Sequence, residues 1–127
     1  MHKAIVLFAH GARDPEWARP IESLRDRLRD EMADTRIAAA YLEFMQPGLG
    51  DAIASVVASG ARAVTVVPVF LAQGGHVKRE LPEMIAAARA LHPEVVIEVT
   101  PAIGEQAEVI EAIARCVARL APQLGTA

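Results

Sequence analysis

Four short apolar runs alternate with four segments whose apolar residues recur at helical spacing, and this alternation limits the possible folds most strongly. The first run, KAIVLFA over Lys3–Ala9, is continuous and rich in β-formers, which is typical of a strand buried on both faces. The sequence predicts further strands over residues 37–44, 63–71 and 95–100. Because a helical segment follows each strand, we predict an α/β fold: a four-stranded parallel sheet in the flavodoxin-like order 2-1-3-4, with helices on both faces.

The first three helical segments carry start and stop signals. Asp14 and Pro15 form an N-cap followed by proline at the first helical position. The second helix is predicted to open at Pro47 and to stop at Gly60, a residue favoured at helix C-termini. The third is predicted over residues 82–91, because a proline at position 82 disfavours helix in the residue before it.

The fourth helix is predicted over residues 105–120. Its apolar residues share one face, and they are Val109, Ile110, Ile113, Val117 and Leu120. Cys116 falls close to that face and is predicted to be a buried thiol.

The third predicted strand contains a proline, Pro68. Proline cannot donate a backbone hydrogen bond to a neighbouring strand, so we expect a bulge there or pairing that ends early on one side.

Composition excludes several classes of function. The 127 residues fit a single domain, and 53% hydrophobic against 4% aromatic residues predicts a core of Ala, Val, Ile and Leu. A net charge of −3 argues against nucleic acid and anionic lipid as partners. The longest apolar run, residues 63–72, is too short to span a membrane. A single cysteine excludes an internal disulfide framework, and we expect a soluble protein of the reducing cytoplasm.

Two of the four histidines follow predicted strands. His10 comes directly after the first strand, and His76 follows the third in the segment AQGGHVKRE. In open α/β sheets, ligands bind beyond the carboxyl ends of the strands, where successive crossovers leave in opposite directions. For the order 2-1-3-4 that point lies between strands 1 and 3. We therefore predict that His10 and His76 share a site that takes up and releases a divalent metal ion, or that accepts protons from a substrate.

The same two loops carry residues suited to a large anionic ligand. Gly74 and Gly75 allow unusual backbone angles and close approach of a bulky molecule. Arg13, Lys78 and Arg79 could contact carboxylates on that molecule. The sequence therefore predicts a cationic rim on an acidic protein.

Two glutamates lie close to these residues in the sequence or in the predicted sheet. Glu43 lies at the end of the second predicted strand and projects from the same edge, where it could act as a proton acceptor, as a further metal ligand or only as a solvated acid. Glu80 lies four residues after His76, a spacing that would place both on one face of a helix. Because the third helix is predicted to begin only at Pro82, Glu80 is interpreted as an acid favoured by the helix dipole.

Several segments together resemble a known family. These are FAHGARDP, LEFMQP and VTVVPVFLAQGGHVKRELP, and with the length of the chain they are similar to the short form of the CbiX-type sirohydrochlorin chelatases, which belong to the class II chelatases. The HG after the first strand is weak alone, whereas the VPVFLxxGGHVxxxxP pattern is specific. The resemblance covers nearly the whole chain.

The resemblance implies an activity and an assembly. It implies insertion of cobalt or iron into sirohydrochlorin, a macrocycle that carries many carboxylates, with His10 and His76 as the metal-handling and proton-accepting pair and Glu43 as a helper. It gives Arg13, Lys78 and Arg79 a role in binding those carboxylates. It also implies a homodimer with the tetrapyrrole between two units, no permanently bound cofactor, and the metal as a substrate.

Two alternatives stand beside this interpretation. A metal or tetrapyrrole carrier would use the same residues without turnover. Phosphohistidine phosphatases place Arg-His-Gly after their first strand, but Ala9 occupies the place of that arginine here, so the phosphate clamp is missing.

Overall fold

The computed structural model describes residues 2–124 and shows the expected alternation of strands and helices. The four strands are parallel and lie in the order β2-β1-β3-β4, which confirms the predicted topology. The strands are β1 (Lys3–Ala9), β2 (Thr35–Tyr41), β3 (Ala63–Pro68) and β4 (Val96–Val99). The helices are α1 (Arg19–Glu31), α2 (Leu49–Ala58), α3 (Gly75–Leu91) and α4 (Ala107–Leu124).

The two faces of the sheet carry separate apolar cores. Alternate residues of β1, such as Val6 and Phe8, point toward α2 and α3 and join the larger core. Leu7 and Ala9 point the other way and pack against α1 through Ile21. Helices therefore lie on both faces of the sheet, and α1 packs against β1 and β2.

The segment before α1 departs from the predicted helix. Asp14 does cap a turn, because its carboxylate accepts a 3.0 Å hydrogen bond from the Glu16 amide. That turn is a 3-10 helix over Pro15–Ala18, and α1 begins only at Arg19. Trp17 is consequently not in the core, and 70% of its surface is exposed.

The strands end earlier than the apolar runs do. β2 stops at Tyr41 rather than at residue 44, and β3 stops at Pro68 rather than at residue 71. Pairing between β3 and β4 ends at Val66, whereas pairing with β1 continues to Pro68. The expectation that pairing ends early on one side of Pro68 is therefore confirmed.

The prediction that α3 starts at Pro82 is wrong, because the helix begins at Gly75 and continues through the proline. A buried stripe at helical spacing runs through the whole helix and consists of Val77, Leu81, Ile85 and Ala88. Burial of this stripe offsets the hydrogen bond that proline cannot donate. Pro82 itself lies on the exposed side of α3, where water can reach the carbonyl that the proline leaves unpaired.

The last helix differs from the other three. α4 packs closely with the 3-10 turn Ile103–Glu105 and with none of the strands of the described chain. Cys116 is exposed, so the prediction of a buried thiol is wrong, because the helix face beside it has no cover. No helix in the described part of the chain is long and apolar enough to cross a membrane.

Candidate functional site

The loops after β1 and β2 stay joined beyond the ends of the strands. The Leu42 amide donates to the Ala9 carbonyl at 2.9 Å, and the Glu43 amide donates to the His10 carbonyl at 3.2 Å. These bonds place the two side chains next to each other, with His10 Nε2 3.1 Å from Glu43 Oε1. The structure thus brings together two of the residues that the sequence selected for the carboxyl edge of the sheet.

Gly11 makes this close approach possible. Its φ is +88°, a region that L-residues other than glycine rarely adopt. A Cβ at this position would lie 2.0 Å from the backbone oxygen of Glu43. Only glycine fits, and its absent side chain lets the first loop lie against the second.

His76 belongs to a second pair of the same kind. Because α3 begins at Gly75, His76 and Glu80 lie one turn apart, and His76 Nε2 is 2.9 Å from Glu80 Oε2. Both side chains are roughly half exposed. The sequence contained this spacing, but the expected start of the helix at Pro82 concealed it.

The two histidines do not complete a metal site within one chain. Within residues 2–124, no three His, Cys, Asp or Glu side chains are close enough to hold an ion together. His10 and His76 follow adjacent strands, β1 and β3, and the Phe70 ring lies edge-on to His10 with centroids 6.5 Å apart. Convergence of the two imidazoles on one ion therefore stays a prediction.

A cavity of about 490 Å³ opens beside His10. Most of its lining is apolar, and the lining includes Trp17, Pro20, Ile21, Tyr41, Val69 and Phe70. The pKa of the Tyr41 phenol is raised, mainly because the side chain is partly buried and also because the Glu22 carboxylate is near, while Arg25 opposes the shift. The phenol in the cavity wall is therefore uncharged at neutral pH. A larger depression of about 660 Å³ lies at the opposite end of the sheet, beside His2 and Thr35, away from both histidine pairs.

Arg13 lies over an aromatic ring that the sequence reasoning missed. Its guanidinium carbon is 4.7 Å from the centre of the Phe44 ring. Phe44 has a φ of +66°, which is unusual for a bulky residue, and 56% of its surface is exposed. Phe44 directly follows Glu43 in a chain with few aromatics, and that adjacency is the signal that could have identified it.

Gly74 and Gly75 do not adopt the unusual backbone angles that the sequence suggested. Gly74 is the N-cap of α3 with a φ of −74°, and Gly75 starts the helix. Lys78 and Arg79 lie exposed on the first turns of α3, and within residues 2–124 neither makes an ion pair. No atom lies within 4 Å of the position that a Cβ would take at Gly74, so there is room for a ligand to approach.

We predict that Glu80→Gln slows catalysis but does not weaken the fold. The amide still reaches His76 across one helical turn but carries no negative charge, so it holds the imidazole N–H less strongly and the orientation of the ring is less well fixed. The expected result is a several-fold lower kcat with an unchanged unfolding midpoint, measured by steady-state kinetics and urea denaturation. Glu83→Gln, an exposed change on the same helix, is the control. Equal losses in both variants would contradict a role for Glu80 in positioning His76.

Comparisons with known proteins identify the family of the chain. A sequence model of the family described as CbiX matches residues 4–120. The chain is 35% identical over 92 residues to the sirohydrochlorin cobaltochelatase of Methanopyrus kandleri, covering 72% of this chain and 61% of that protein. The chain spans between 35% and 61% of the length of the first curated relatives.

Two solved structures share the fold. A putative cobalamin biosynthesis CbiX protein from Marinobacter aquaeolei superposes with a TM-score of 0.83 at 30% identity, over 95% of this chain and 98% of that one. The sirohydrochlorin chelatase SirB from Bacillus subtilis subspecies spizizenii, in complex with cobalt, superposes with a TM-score of 0.81 at 26% identity, over 95% of this chain but 52% of that one. With a family model that covers 4–120 and a matching fold, the chain belongs to the CbiX family.

Proposed function

We propose that this protein is a sirohydrochlorin chelatase, a lyase that inserts Co²⁺ or Fe²⁺ into the macrocycle during cobalamin or siroheme biosynthesis. The observation that carries the proposal is the His10–Glu43 pair, at 3.1 Å, beside a largely apolar cavity at the carboxyl edge of the sheet. The cavity offers a surface to a flat conjugated ring, and the pair offers nitrogen and oxygen atoms to a metal ion. The curated relatives, which are sirohydrochlorin cobaltochelatases, support the same activity.

The chemistry needs both a metal-handling group and a base. Insertion exchanges two pyrrole N–H protons of the ring for one divalent ion, so two protons must leave as the metal enters. Imidazole nitrogens bind Co²⁺ and Fe²⁺, and two histidines leave coordination positions open for transfer. We assign metal delivery to His10 and His76, and proton acceptance to the same imidazoles together with Glu43.

The charged periphery suits a substrate with many carboxylates. Arg13, Lys78 and Arg79 lie exposed near the carboxyl edge, where they could hold the rim of the macrocycle. Gly74 leaves space for the ring to approach the main chain at the start of α3, and at Gly75 the Arg79 guanidinium lies 3.5 Å from the position of a Cβ, where it could meet a carboxylate of the ring. We therefore assign these five residues to substrate binding.

We also propose that the active form is a homodimer in the cytoplasm, with the tetrapyrrole between two units. The cobalt-bound SirB chain supports this assembly, since the matched region covers only 52% of that chain and a second unit of similar size would fit in the rest. The single cysteine agrees with a reducing compartment.

Turnover separates a chelatase from a carrier. The purified protein is incubated without oxygen with sirohydrochlorin and excess Co²⁺, Fe²⁺ or Ni²⁺, and the absorbance of the metallated ring is followed. The proposal expects many equivalents of product per subunit with Co²⁺ or Fe²⁺. A spectral change that stops at one equivalent would favour a metal or tetrapyrrole carrier, and it would overturn the enzymatic assignment.

We predict that Arg13→Ala raises KM for sirohydrochlorin several-fold and changes kcat little. The guanidinium is placed by the Phe44 ring and not by a bond to His10 or Glu43, so its loss removes binding energy without altering the reacting groups. Initial rates against substrate concentration measure the effect, with Arg27→Ala on the exposed side of α1 as the control. A fall in kcat with an unchanged KM would contradict this role.

A further inference from the structure

Two aromatic side chains are strongly exposed, and both lie beside His10. Trp17 is 70% exposed and Phe44 is 56% exposed, although aromatic residues make up only 4% of the chain. Trp17 lines the cavity that opens at His10, and Phe44 directly follows the glutamate that pairs with His10. Exposed rings leave apolar area in water, so a chain with few aromatic residues is expected to place them where a ligand binds.

Phe44 has a backbone conformation that phenylalanine rarely adopts. Its φ of +66° lies in the left-handed region, where a bulky side chain is strained and glycine or asparagine is more common. The residue before it is fixed, because the Glu43 amide donates to the His10 carbonyl and the Glu43 carboxylate contacts the His10 ring. Strain of this kind persists where the surrounding structure imposes it, and it is most frequent at functional sites.

The ring of Phe44 contacts the guanidinium of Arg13. The guanidinium carbon lies over the ring, 4.7 Å from its centre. Within residues 2–124 Arg13 makes no ion pair, so no carboxylate of the described chain occupies its N–H donors. Arg13 directly follows Gly11 and Ala12, which line the His10 cavity. The ring therefore fixes a cation beside the cavity and leaves its donors free for a ligand that carries carboxylates.

We propose that Phe44 is a positioning residue for substrate binding, whose ring holds Arg13 beside the cavity in the orientation that receives a carboxylate of the tetrapyrrole. An unrestrained arginine side chain has many rotamers, and a contact that restricts them before binding lowers the entropy lost when the carboxylate arrives. Phe44 acts on affinity and not on the insertion step, because Arg13 is not one of the reacting groups. This inference deepens the substrate-binding part of the proposed function and rests on it.

The first test measures binding of metal-free sirohydrochlorin by absorbance titration. Phe44→Asn removes the ring but tolerates a positive φ, so we expect a dissociation constant roughly two- to five-fold higher, the range of an exposed cation-π contact. The kcat at saturating substrate is expected to stay unchanged. Phe44→Tyr keeps the ring and is expected to bind as the wild type does. Leu91→Asn, an exposed apolar residue at the far end of α3, is the control for the polar replacement.

A double-mutant cycle shows whether the ring acts through Arg13. If it does, Phe44→Asn has no further effect in a chain that already carries Arg13→Ala, and the double variant binds sirohydrochlorin as Arg13→Ala does. If Phe44 contacts the tetrapyrrole directly, the two losses of affinity multiply. Multiplied losses would overturn the positioning role.

Two further measurements need no substrate. In ¹⁵N-edited NMR spectra, the ring current of an aromatic side chain is expected to shift the Arg13 Nε–H proton upfield in the wild type and in Phe44→Tyr, but not in Phe44→Asn. Arg13→Ala identifies this resonance by its absence. The urea midpoint of Phe44→Asn is expected to equal or exceed that of the wild type, because the substitution relieves strain at a positive φ. A clearly lower midpoint would show that the ring serves the fold, which contradicts the proposal.

Other outcomes separate this proposal from the chelatase assignment. A wild type that binds sirohydrochlorin, with Phe44→Asn equal to it, would overturn the positioning role and leave the proposed function standing. An Arg13 resonance at the same position in both proteins would do the same, because it would show that the ring does not hold the guanidinium. A wild type that does not bind sirohydrochlorin would contradict the proposed function, and the positioning role would fail with it.

Discussion

Replacing His10 with alanine is expected to abolish most of the metal insertion while the fold stays intact. The imidazole is about half exposed and contacts Glu43 and the edge of Phe70, so its loss leaves no buried group unpaired. The same change removes a metal ligand and a proton acceptor from the site. We expect the insertion rate to fall roughly 100- to 10,000-fold, the range typical of a lost general base, with an unchanged urea midpoint.

His76→Ala is expected to give a similar loss, since His76 is also about half exposed and pairs only with Glu80 of its own helix. His92→Ala is the matched control, because His92 caps the opposite end of α3. Insertion rates with Co²⁺ and Fe²⁺ and the unfolding midpoint are measured for all three variants. Turnover like that of the wild type in both His10→Ala and His76→Ala would refute the site assignment.

The topology could be predicted because it depends on a repeated pattern. Each apolar run is short and each helical segment has its apolar residues on one face, so strict alternation allows few arrangements other than a parallel sheet with right-handed crossovers. The ends of the elements were less predictable. β2 and β3 stop at Tyr41 and Pro68 although apolar residues continue, because these later residues line loops that turn toward the site.

The site was predictable where it follows from topology. His10 and Glu43 could be assigned to the carboxyl edge because they follow β1 and β2, which are neighbours in the sheet. The His76–Glu80 pair was missed because the local preference of Pro82 was given more weight than burial of the stripe that begins at Val77. Burial over several turns outweighs one missing hydrogen bond, and sequence spacing alone does not show which side of α3 is buried.

The surroundings of the site depended on tertiary contacts that no local pattern reveals. Trp17 lies at a helical spacing from Ile21, but the 3-10 turn at Pro15–Ala18 places it on the wall of the cavity and not in the core. The apolar face of α4 was visible in the sequence, whereas only the structure shows that its residues are exposed, with Val117 at 59%.

Gly11→Ala is expected to damage both stability and activity. A methyl group at this position would lie 2.0 Å from the Glu43 backbone oxygen, and alanine is strained at a φ of +88°. Relief of the clash requires the loops after β1 and β2 to separate, which lengthens the bond from the Glu43 amide to the His10 carbonyl. We expect a loss of about 2–4 kcal/mol in the free energy of unfolding, measured by urea denaturation.

Gly50→Ala separates this effect from the general consequence of replacing a glycine. No atom lies within 4 Å of a Cβ at position 50, and the residue is in α2, so alanine there is expected to stabilise the protein by roughly 0.4–1 kcal/mol. Insertion by Gly11→Ala, measured at a temperature where the variant is still folded, is expected to be far below that of Gly50→Ala, because separating the loops also separates His10 from Glu43. A folded Gly11→Ala variant with full activity would show that the contact between these two loops does not set the geometry of the site.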